Sequence, residues 1–286
     1  MKNILIADSG STKTDWWIID VLTKKTVGEV VTAGVNPYFM TADDISMMLN
    51  EQWNADFFVK NIQKIYFYGA GCSSETKCKT VNKGLYRFFT SADIYVYHDL
   101  LAAARALFGK ENGIAAILGT GSNSCLYRHM QVEEELFSLG YLFGDKGSGG
   151  HIGRKIVDAY LKDEMPDRLR SDFQKKYSLT KEQILDNVYN KPSPNRFLAS
   201  FSEFSSMNID AAFIQQIIKD SFRDFFDYQI TRYTNYQEYP LRVVGSVGFY
   251  FKDILESVAG EYNMKVEQVI QNPVENLVQF HLSDLP

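Results

Sequence analysis

The chain has 286 residues, which suits two domains at roughly 100 to 200 residues each. Hydrophobic residues make up 45% of it and charged residues 23%, a composition typical of a globular protein rather than a disordered or fibrous one. The formal net charge of -5 excludes the basic footprint that a nucleic-acid backbone requires, so a small-molecule ligand is expected.

The cysteines and the start of the chain bear on the compartment. Cys72, Cys78 and Cys125 lack the paired spacing of a zinc site and are too few for a disulfide scaffold, so free thiols are expected. The apolar start meets Asp8 too early for a signal peptide, and no run approaches the roughly 18 apolar residues of a membrane span. These features predict a cytoplasmic protein with neither a membrane nor a nucleic-acid partner; a homodimer is compatible with them.

Strands and helices alternate along the first part of the chain. Short apolar runs predict strands at residues 3–7, 15–21, 27–32, 65–68 and 94–97. Helical spacing predicts helices at residues 45–61 and 100–108. This alternation predicts an α/β fold.

The next segment repeats the pattern with which the chain begins. An apolar strand at residues 113–118, a loop of small residues and a strand at 125–127 echo the first hairpin, about 110 residues earlier. The repeat predicts an internally duplicated fold, with a first domain at residues 1–108 and a second at 109–286.

The second half is strongly helical before it returns to a strand. Thr180 and Gln183 have the spacing of a capping box, and an apolar stripe over residues 209–230 predicts a long helix that packs on the core. A strand at 241–244 then leads through Gly245-Ser246-Val247-Gly248 into a helix at 249–258.

Two polar loops are candidates for binding phosphate. Residues 8–14 read Asp-Ser-Gly-Ser-Thr-Lys-Thr, and their backbone N–H groups and hydroxyls can converge on phosphate oxygens, although a hairpin turn of this composition needs no ligand. Residues 119–122, Gly-Thr-Gly-Ser, stand at the duplicated position and favour a pair of loops that grip one polyphosphate. The P-loop and Rossmann glycine patterns are absent.

Other candidates follow predicted strands. Asp99 comes directly after the strand at 94–97, where open α/β sheets place ligand-facing groups, and its carboxylate can take a proton from a hydroxyl. The alternative is that Asp99 only caps the next helix. The loop at residues 144–149 is too polar and too rich in Gly for a core segment and is typical of a ligand-lining loop. Gly245 can let a nucleoside approach the backbone closely, or it can serve packing alone.

The order of these motifs resembles that of the BadF/BadG/BcrA/BcrD-type ATPases, and within them the N-acetylglucosamine kinases of the actin and hexokinase superfamily. The resemblance spans residues 4 to 250 and rests on residues 8–14, 34–37, 98–99, 118–123, 144–149 and 244–247. It implies two ribonuclease H-like domains that flank a cleft for ATP and sugar, and Mg²⁺ as the accompanying ion.

The resemblance also implies a role for individual residues. Asp8 matches the position that helps to hold magnesium, and Asp99 matches the catalytic base. The positions that face the ATP phosphates are Gly10, Ser11, Thr12, Lys13, Thr120, Gly121 and Ser122. The adenosine motif is matched by Gly245 and Ser246, and the sugar-contacting positions by Asn36, Asn123 and Asp145.

Two positions depart from the family pattern. The family commonly has Glu where Lys146 stands and often Trp where Tyr141 stands, and the first change reverses a charge beside the sugar loop. The expected reaction is transfer of phosphate from ATP to an amino sugar, N-acetylglucosamine, at its 6-hydroxyl. Two alternatives share the fold: a sugar or nucleotide sensor without activity, and an ATPase that drives a partner protein.

Overall fold

The computed structural model describes residues 3–10, 12–136 and 138–283, with the backbone alone at residues 56 and 57. The chain divides into two compact units, Met1–Lys110 with Pro273–Pro286, and Glu111–Asn272. Within the described ranges, no helix combines the length and the apolar character that crossing a bilayer requires.

The first unit is a mixed sheet with helices. Its strands are β1 (Asn3–Ser9), β2 (Lys13–Asp20), β3 (Lys25–Ala33), β4 (Ile62–Gly69) and β5 (Asp93–His98). Its helices before residue 110 are α1 (Ala42–Gln52), α2 (Asp56–Val59), α3 (Glu75–Phe88) and α4 (Asp99–Phe108). The five strands lie in the order β3-β2-β1-β4-β5. The pairs β3–β2 and β2–β1 are antiparallel, and the pairs β1–β4 and β4–β5 are parallel.

The core of this unit follows from the apolar pattern of its strands. β1 is buried along most of its length, and the fully buried Trp16 of β2 packs against Phe67 and Trp53 with ring centroids 5.7 and 5.6 Å apart. α1 begins with a capping box, in which Thr41 and Asp44 each accept a hydrogen bond from the other's backbone N–H. The first sheet therefore packs on a buried aromatic core.

The second unit also contains five strands, β6 (Gly113–Leu118), β7 (Ser122–Arg128), β8 (Gln131–Glu135), β9 (Leu241–Val244) and β10 (Val266–Ile270). The helices between β8 and β9 are α5 (Gly140–Phe143), α6 (Gly149–Leu161), α7 (Asp167–Tyr177), α8 (Lys181–Tyr189), α9 (Pro194–Ser200), α10 (Ser202–Met207) and α11 (Ala212–Tyr228), with 3₁₀ turns at Ile230–Arg232 and Tyr236–Glu238. α12 (Ser246–Tyr250) and α13 (Lys252–Glu261) follow β9.

The two sheets have the same topology. The second has the order β10-β9-β6-β7-β8, so β6 to β10 take the places of β1 to β5, with the same parallel and antiparallel pairs. The predicted α/β fold and its internal duplication are confirmed. The capping box of Thr180 and Gln183 is present at the start of α8.

The last helix of the described chain, α14 (Val274–Ser283), lies in the first unit, although the predicted second domain, residues 109–286, would include it. Its buried stripe, which includes Leu277, packs on α4, and Asn276 Nδ2 donates a hydrogen bond to the Ala106 carbonyl at 2.9 Å. His281 Nε2 lies 2.8 Å from the Tyr68 hydroxyl. The first unit thus joins both ends of the chain.

Candidate active site

Three strands of the first sheet end side by side. Ser9 of β1 pairs with Gly69 of β4, and Gly69 pairs with His98 of β5. Asp8 precedes Ser9, and Asp99 follows His98, so the two predicted carboxylates lie at the carboxyl edge of the same sheet. Open α/β sheets bind ligands at this edge.

Asp99 does not cap the helix that follows it. α4 begins at Asp99, and its N-cap is His98, whose Nδ1 accepts a hydrogen bond from the Leu101 N–H at 3.3 Å. The alternative role considered for Asp99 therefore belongs to its neighbour. A carboxylate in the first turn still interacts favourably with the helix dipole.

The ionised form of the Asp8 carboxyl is disfavoured by its surroundings. Burial, the charge of Asp99 and the charge of Asp15 together raise its pKa from 3.8 to about 7, and Lys13 opposes the shift. Asp15 lies directly opposite Asp8 in the pairing of β1 with β2. Neighbouring carboxylates with little solvent screening thus concentrate acidic groups at this sheet edge.

These residues fit a magnesium ion. Mg²⁺ prefers carboxylate oxygens, and it is usually held by one or two of them together with water and substrate phosphates. Burial and the charges of Asp99 and Asp15 disfavour the ionised form of Asp8, and a bound divalent cation would stabilise that form. Among the described residues there is no group of three or more His, Cys, Asp or Glu side chains with metal-site geometry, so Asp8 would hold the ion with help from the nucleotide.

The first phosphate loop is a tight turn between β1 and β2. The Gly10 N–H donates to the Lys13 carbonyl at 3.0 Å, and Thr12 and Gly10 are exposed. Lys13 Nζ lies 2.8 Å from a carboxylate oxygen of Asp15. Ser11, also predicted to face phosphate, lies outside the described residues.

The segment that contains Asn36 is tied to this loop. Ser9 is fully buried, and its hydroxyl accepts from the Val35 N–H at 2.9 Å and lies 2.8 Å from the Thr14 hydroxyl. Asn36 Oδ1 accepts from the Tyr38 N–H at 2.9 Å, which fixes the side chain in a turn. The structure therefore places Asn36 near the edge that carries Asp8.

In the second unit, the loop at residues 119–122 presents free donors. The Gly119 and Thr120 carbonyls accept from the N–H groups of Gly149 and Gly150 at 2.8 and 3.0 Å, which anchors the loop on α6. Among the described residues, the N–H groups of Thr120 and Gly121 have no acceptor. Two successive unpaired N–H groups form the kind of nest that binds an anion.

Asp145 closes on the same loop. Its Oδ1 accepts from the Ser122 N–H at 3.2 Å, and a Cβ on Gly121 would lie 3.1 Å from either carboxylate oxygen. Only glycine at 121 leaves this approach unhindered. Burial raises the pKa of the Asp145 carboxyl, and the hydrogen bond from Ser122 partly offsets the shift. The Ser122 hydroxyl is engaged too, because it donates to the Lys146 carbonyl at 2.6 Å.

A cavity of about 380 Å³ lies within the second unit, beside this loop. Two of the predicted sugar-contacting residues, Asn123 and Asp145, line it. The lining also includes residues that the sequence did not predict, from the end of α11 and the turn after it: Tyr228, Gln229 and Arg232. Its volume falls in the range of about 300 to 1,000 Å³ that small-molecule sites occupy.

Gly245 has a packing reason of its own. Its φ is +123°, and a Cβ at this position would lie 2.4 Å from the Leu118 carbonyl at the end of β6. Any side chain here would push β6 and β9 apart. Ser246 is exposed at the start of α12.

His151 was not predicted to matter, yet it anchors the loop at residues 144–149. Its Nδ1 accepts from the Gly147 N–H at 3.2 Å and lies 2.7 Å from the Ser221 hydroxyl of α11. Burial, reinforced by Lys155 and other cations, lowers the pKa of His151 to about 3, so the ring is neutral. Since Nδ1 accepts, the ring proton is assigned to Nε2, which lies 3.6 Å from Asp224.

The chain matches no protein-family model and no curated protein sequence. Solved structures do match. The chain is 40% identical to a proposed N-acetylglucosamine kinase from Porphyromonas gingivalis, with a TM-score of 0.94 over 98% of this chain and 99% of that one. A proposed N-acetylglucosamine kinase from Chromobacterium violaceum (14% identity, TM-score 0.71, 98% and 99% covered) and the ROK hexokinase from Thermus thermophilus (11% identity, TM-score 0.51, 98% of each chain covered) share the fold.

The two sheets of one topology give the chain an actin/hexokinase-type fold. Because it is 40% identical to the Porphyromonas gingivalis protein over nearly the whole length of both chains, the chain belongs to the actin/hexokinase-type family of ATP-dependent sugar kinases.

Proposed function

We propose that this kinase transfers the γ-phosphoryl group of ATP to the 6-hydroxyl of an N-acylated amino sugar, with N-acetylglucosamine as the reference substrate. The observation that carries the proposal is the pair of carboxylates at one sheet edge, Asp8 and Asp99, of which Asp99 is relieved of helix capping by His98. The choice of sugar is supported by the name of the 40% identical relative. Since ATP is its second substrate, we also propose a cytoplasmic location.

Asp99 would act as the general base. It accepts the proton of the sugar hydroxyl as the oxygen attacks the γ-phosphorus, the new oxygen–phosphorus bond forms, and the bond between the γ-phosphorus and the β–γ bridging oxygen breaks. ADP leaves with the electron pair of that bond. The products are the sugar 6-phosphate, ADP and the proton on Asp99, which passes to solvent.

The remaining ATP contacts are proposed on the family pattern. Asp8 would hold Mg²⁺, which supplies positive charge to the transferred phosphoryl group. The phosphates would meet the two loops through Gly10, Ser11, Thr12, Lys13, Thr120 and Gly121. The N–H groups of the last two have no acceptor in the part of the chain that the structure describes. Ser122 would act mainly through the shape of its loop, because its own donors are engaged. Gly245 and Ser246 would lie against the adenosine.

The sugar would be held by amide and carboxylate side chains. Asn123 and Asp145 line one cavity, and Asn36 is fixed near the edge of the first sheet; together with Asp99 they would satisfy the sugar hydroxyls and its amide. When ionised, Asp145 accepts hydrogen bonds through both carboxylate oxygens, and a hydroxyl that donates to it would favour this form.

A coupled assay of ADP release across hexoses and amino sugars tests the substrate. We expect kcat/KM for N-acetylglucosamine to exceed that for glucose by about tenfold or more, because a site built for an amide leaves polar groups unpaired when the amide is missing. A value for glucose equal to or above that for N-acetylglucosamine would remove the amino sugar from the proposal. Sugar-independent ADP release would favour an ATPase instead.

A further inference from the structure

One face of α11 lies along the loop between α5 and α6. Ser221, Phe225 and Gln229 are four residues apart, which places them on one face of the helix, and the Gln229 N–H still donates to the Phe225 carbonyl at 2.9 Å. The Ser221 hydroxyl lies 2.7 Å from Nδ1 of His151, and a Cβ on Gly147 would lie 2.7 Å from Cβ of Phe225. The first two residues of this face therefore hold the loop closely against the helix.

Gln229, the third residue of this face, contacts a second loop. Its side chain is buried, and its Nε2 donates to the Ser122 hydroxyl at 3.1 Å while its Oε1 accepts from the Ser124 hydroxyl at 2.9 Å. The Ser122 hydroxyl in turn donates to the Lys146 carbonyl at 2.6 Å. One amide side chain thus connects the end of α11 with the loop at residues 119–122 and with the loop between α5 and α6.

The direction of every hydrogen bond in this chain is fixed. A hydroxyl has one proton, and that of Ser122 is donated to the Lys146 carbonyl, so Ser122 must accept from Gln229. The proton of Ser124 is donated to Gln229 Oε1, so Ser124 accepts from the Tyr233 hydroxyl at 2.9 Å. Position 229 therefore requires a group that accepts on one side and donates on the other. An amide does both, whereas a carboxylate only accepts and a thioether does not donate.

Ser122 passes this constraint to the residues proposed to bind the substrates. Its N–H donates to Asp145 Oδ1 at 3.2 Å, and it directly follows Thr120 and Gly121 in the chain. A displacement of Ser122 would move the N–H groups of that loop and release the Asp145 carboxylate at the same time.

We infer that Gln229 is a positioning residue of this kinase, which acts through Ser122 to hold the phosphate-binding N–H groups of Thr120 and Gly121 and the sugar-binding carboxylate of Asp145 in one arrangement. The inference rests on the proposed function, which gives those groups their roles. The amide oxygen and nitrogen of Gln229 both bond to serine hydroxyls, so its effect on the two substrates is indirect.

The test compares Gln229→Met with the wild type and with the control Gln216→Glu. Methionine has a similar length and cannot donate to Ser122, and Gln216 is an exposed residue of α11 whose Nε2 donates to Asp220. ADP release is measured as a function of ATP and of N-acetylglucosamine. Gln229→Met should lower kcat/KM for both substrates about 10- to 100-fold, because an unsatisfied buried hydrogen bond has a cost of this order. The control should keep wild-type values for both.

Gln229→Glu separates hydrogen bonding from packing. Its ionised carboxylate cannot donate to Ser122, whereas the protonated acid can, and burial raises the pKa of a carboxyl. We expect kcat/KM of this variant, divided by the wild-type value at the same pH, to lie near that of Gln229→Met at about pH 8 and to rise at least about threefold at about pH 5.5. The division removes the titration of groups common to all the proteins. The ionisable side chains that share this cavity and chain of bonds are Asp145, Lys146, Tyr228, Arg232 and Tyr233.

The outcomes distinguish the inference from the proposed function. Wild-type kcat/KM in Gln229→Met, or a change confined to the KM of the sugar, overturns the inference and leaves the proposed function standing. So does a Gln229→Glu variant that stays at the level of Gln229→Met at low pH. If the variants at 229 do not fold, Ser122→Ala removes the same bonds and must lower kcat/KM for both substrates. If the wild type phosphorylates no sugar, the proposed function fails and the inference fails with it.

Discussion

The negative charge of Asp99 raises the pKa of Asp8, although 90 residues of sequence lie between the two aspartates. The parallel pairing of β1, β4 and β5 brings them to one sheet edge. The charge of Asp99 therefore acts on the carboxyl of Asp8 across this edge.

Asp99→Asn should abolish most of the activity but lower the free energy of unfolding only slightly. General-base catalysis contributes about 100- to 10,000-fold in rate, so kcat should fall by that order. The cap of α4 is retained by His98, and loss of a first-turn charge costs about 0.3 to 1 kcal/mol of unfolding free energy. Sugar-dependent ADP release and urea unfolding measure the two effects.

A matched control for this variant is Asp167→Asn. Asp167 is also the first residue of its helix, α7, and is exposed. It should lose a similar amount of stability and no activity. Near wild-type turnover in Asp99→Asn would remove Asp99 from the chemistry.

Asp8 should make the stability of the protein depend on pH. Its pKa is raised to about 7 in the folded chain from 3.8, so the folded chain binds more protons than the unfolded chain between these values. The free energy of unfolding should therefore fall as pH rises from about 4 to 7. Asp8→Asn should remove this decline, which is on the order of 3 kcal/mol in the difference between variant and wild type. Parallel urea titrations across this range that show the same pH slope would contradict the account.

Asp8→Asn should also weaken the response to magnesium. The amide is a poorer ligand than the carboxylate, so the Mg²⁺ concentration for half-maximal turnover should rise about tenfold or more at saturating ATP and sugar. Asp93→Asn is the control, because Asp93 is exposed at the opposite end of β5. An identical magnesium titration for Asp8→Asn and wild type would place the ion elsewhere.

His151→Phe should loosen the loop at residues 144–149. The substitution leaves the Gly147 N–H and the Ser221 hydroxyl without their acceptor, at a cost of about 1 to 3 kcal/mol for each buried donor. Hydrogen exchange at the Gly147 amide should accelerate, and KM for the sugar should rise because Asp145 lies in this loop. His151→Gln, which keeps an acceptor, should recover part of both effects.

The same residue should add to acid sensitivity. Its pKa falls from 6.5 to about 3 on folding, so the unfolded chain binds more protons in this window and stability falls as pH decreases below 6.5. His151→Phe should flatten that decline. If hydrogen exchange at Gly147 and the fall of stability below pH 6.5 are both unchanged, the hydrogen bonds to His151 do not stabilise the loop.

The sequence predicted the sheets where apolar runs were strong. β1 and β6 are buried along most of their lengths, and their apolar sequence patterns predicted both the fold and its duplication. β8 was missed because Gln131–Glu135 has a single apolar residue and is held by its pairing with β7. The predicted helix at 45–61 ends at Gln52, since Trp53 leaves the helical path to enter the core.

The residues of the candidate site also fall into those that the sequence predicted and those that it did not. Asp8 and Asp99 follow apolar strands, and that signal is local. Gln229 and Arg232 lie more than 100 residues from Asn123 and meet it only through tertiary packing, which no spacing in the sequence reveals. The one hint was a polar residue at the end of the apolar stripe of α11, where Gln229 is buried. His98 was passed over as a cap because Ser, Thr, Asp and Asn are the usual N-caps.

Identification of the product tests the kinase assignment most directly. Wild-type protein is incubated with ATP, Mg²⁺ and N-acetylglucosamine, and the phosphorus and proton NMR spectra of the mixture are recorded as ADP forms. We predict one equivalent of N-acetylglucosamine 6-phosphate for each ADP, with the phosphorus coupled to the protons on carbon 6 and no product from Asp99→Asn on the same timescale. Inorganic phosphate in place of a sugar phosphate, or phosphate on another oxygen of the sugar, would contradict the account.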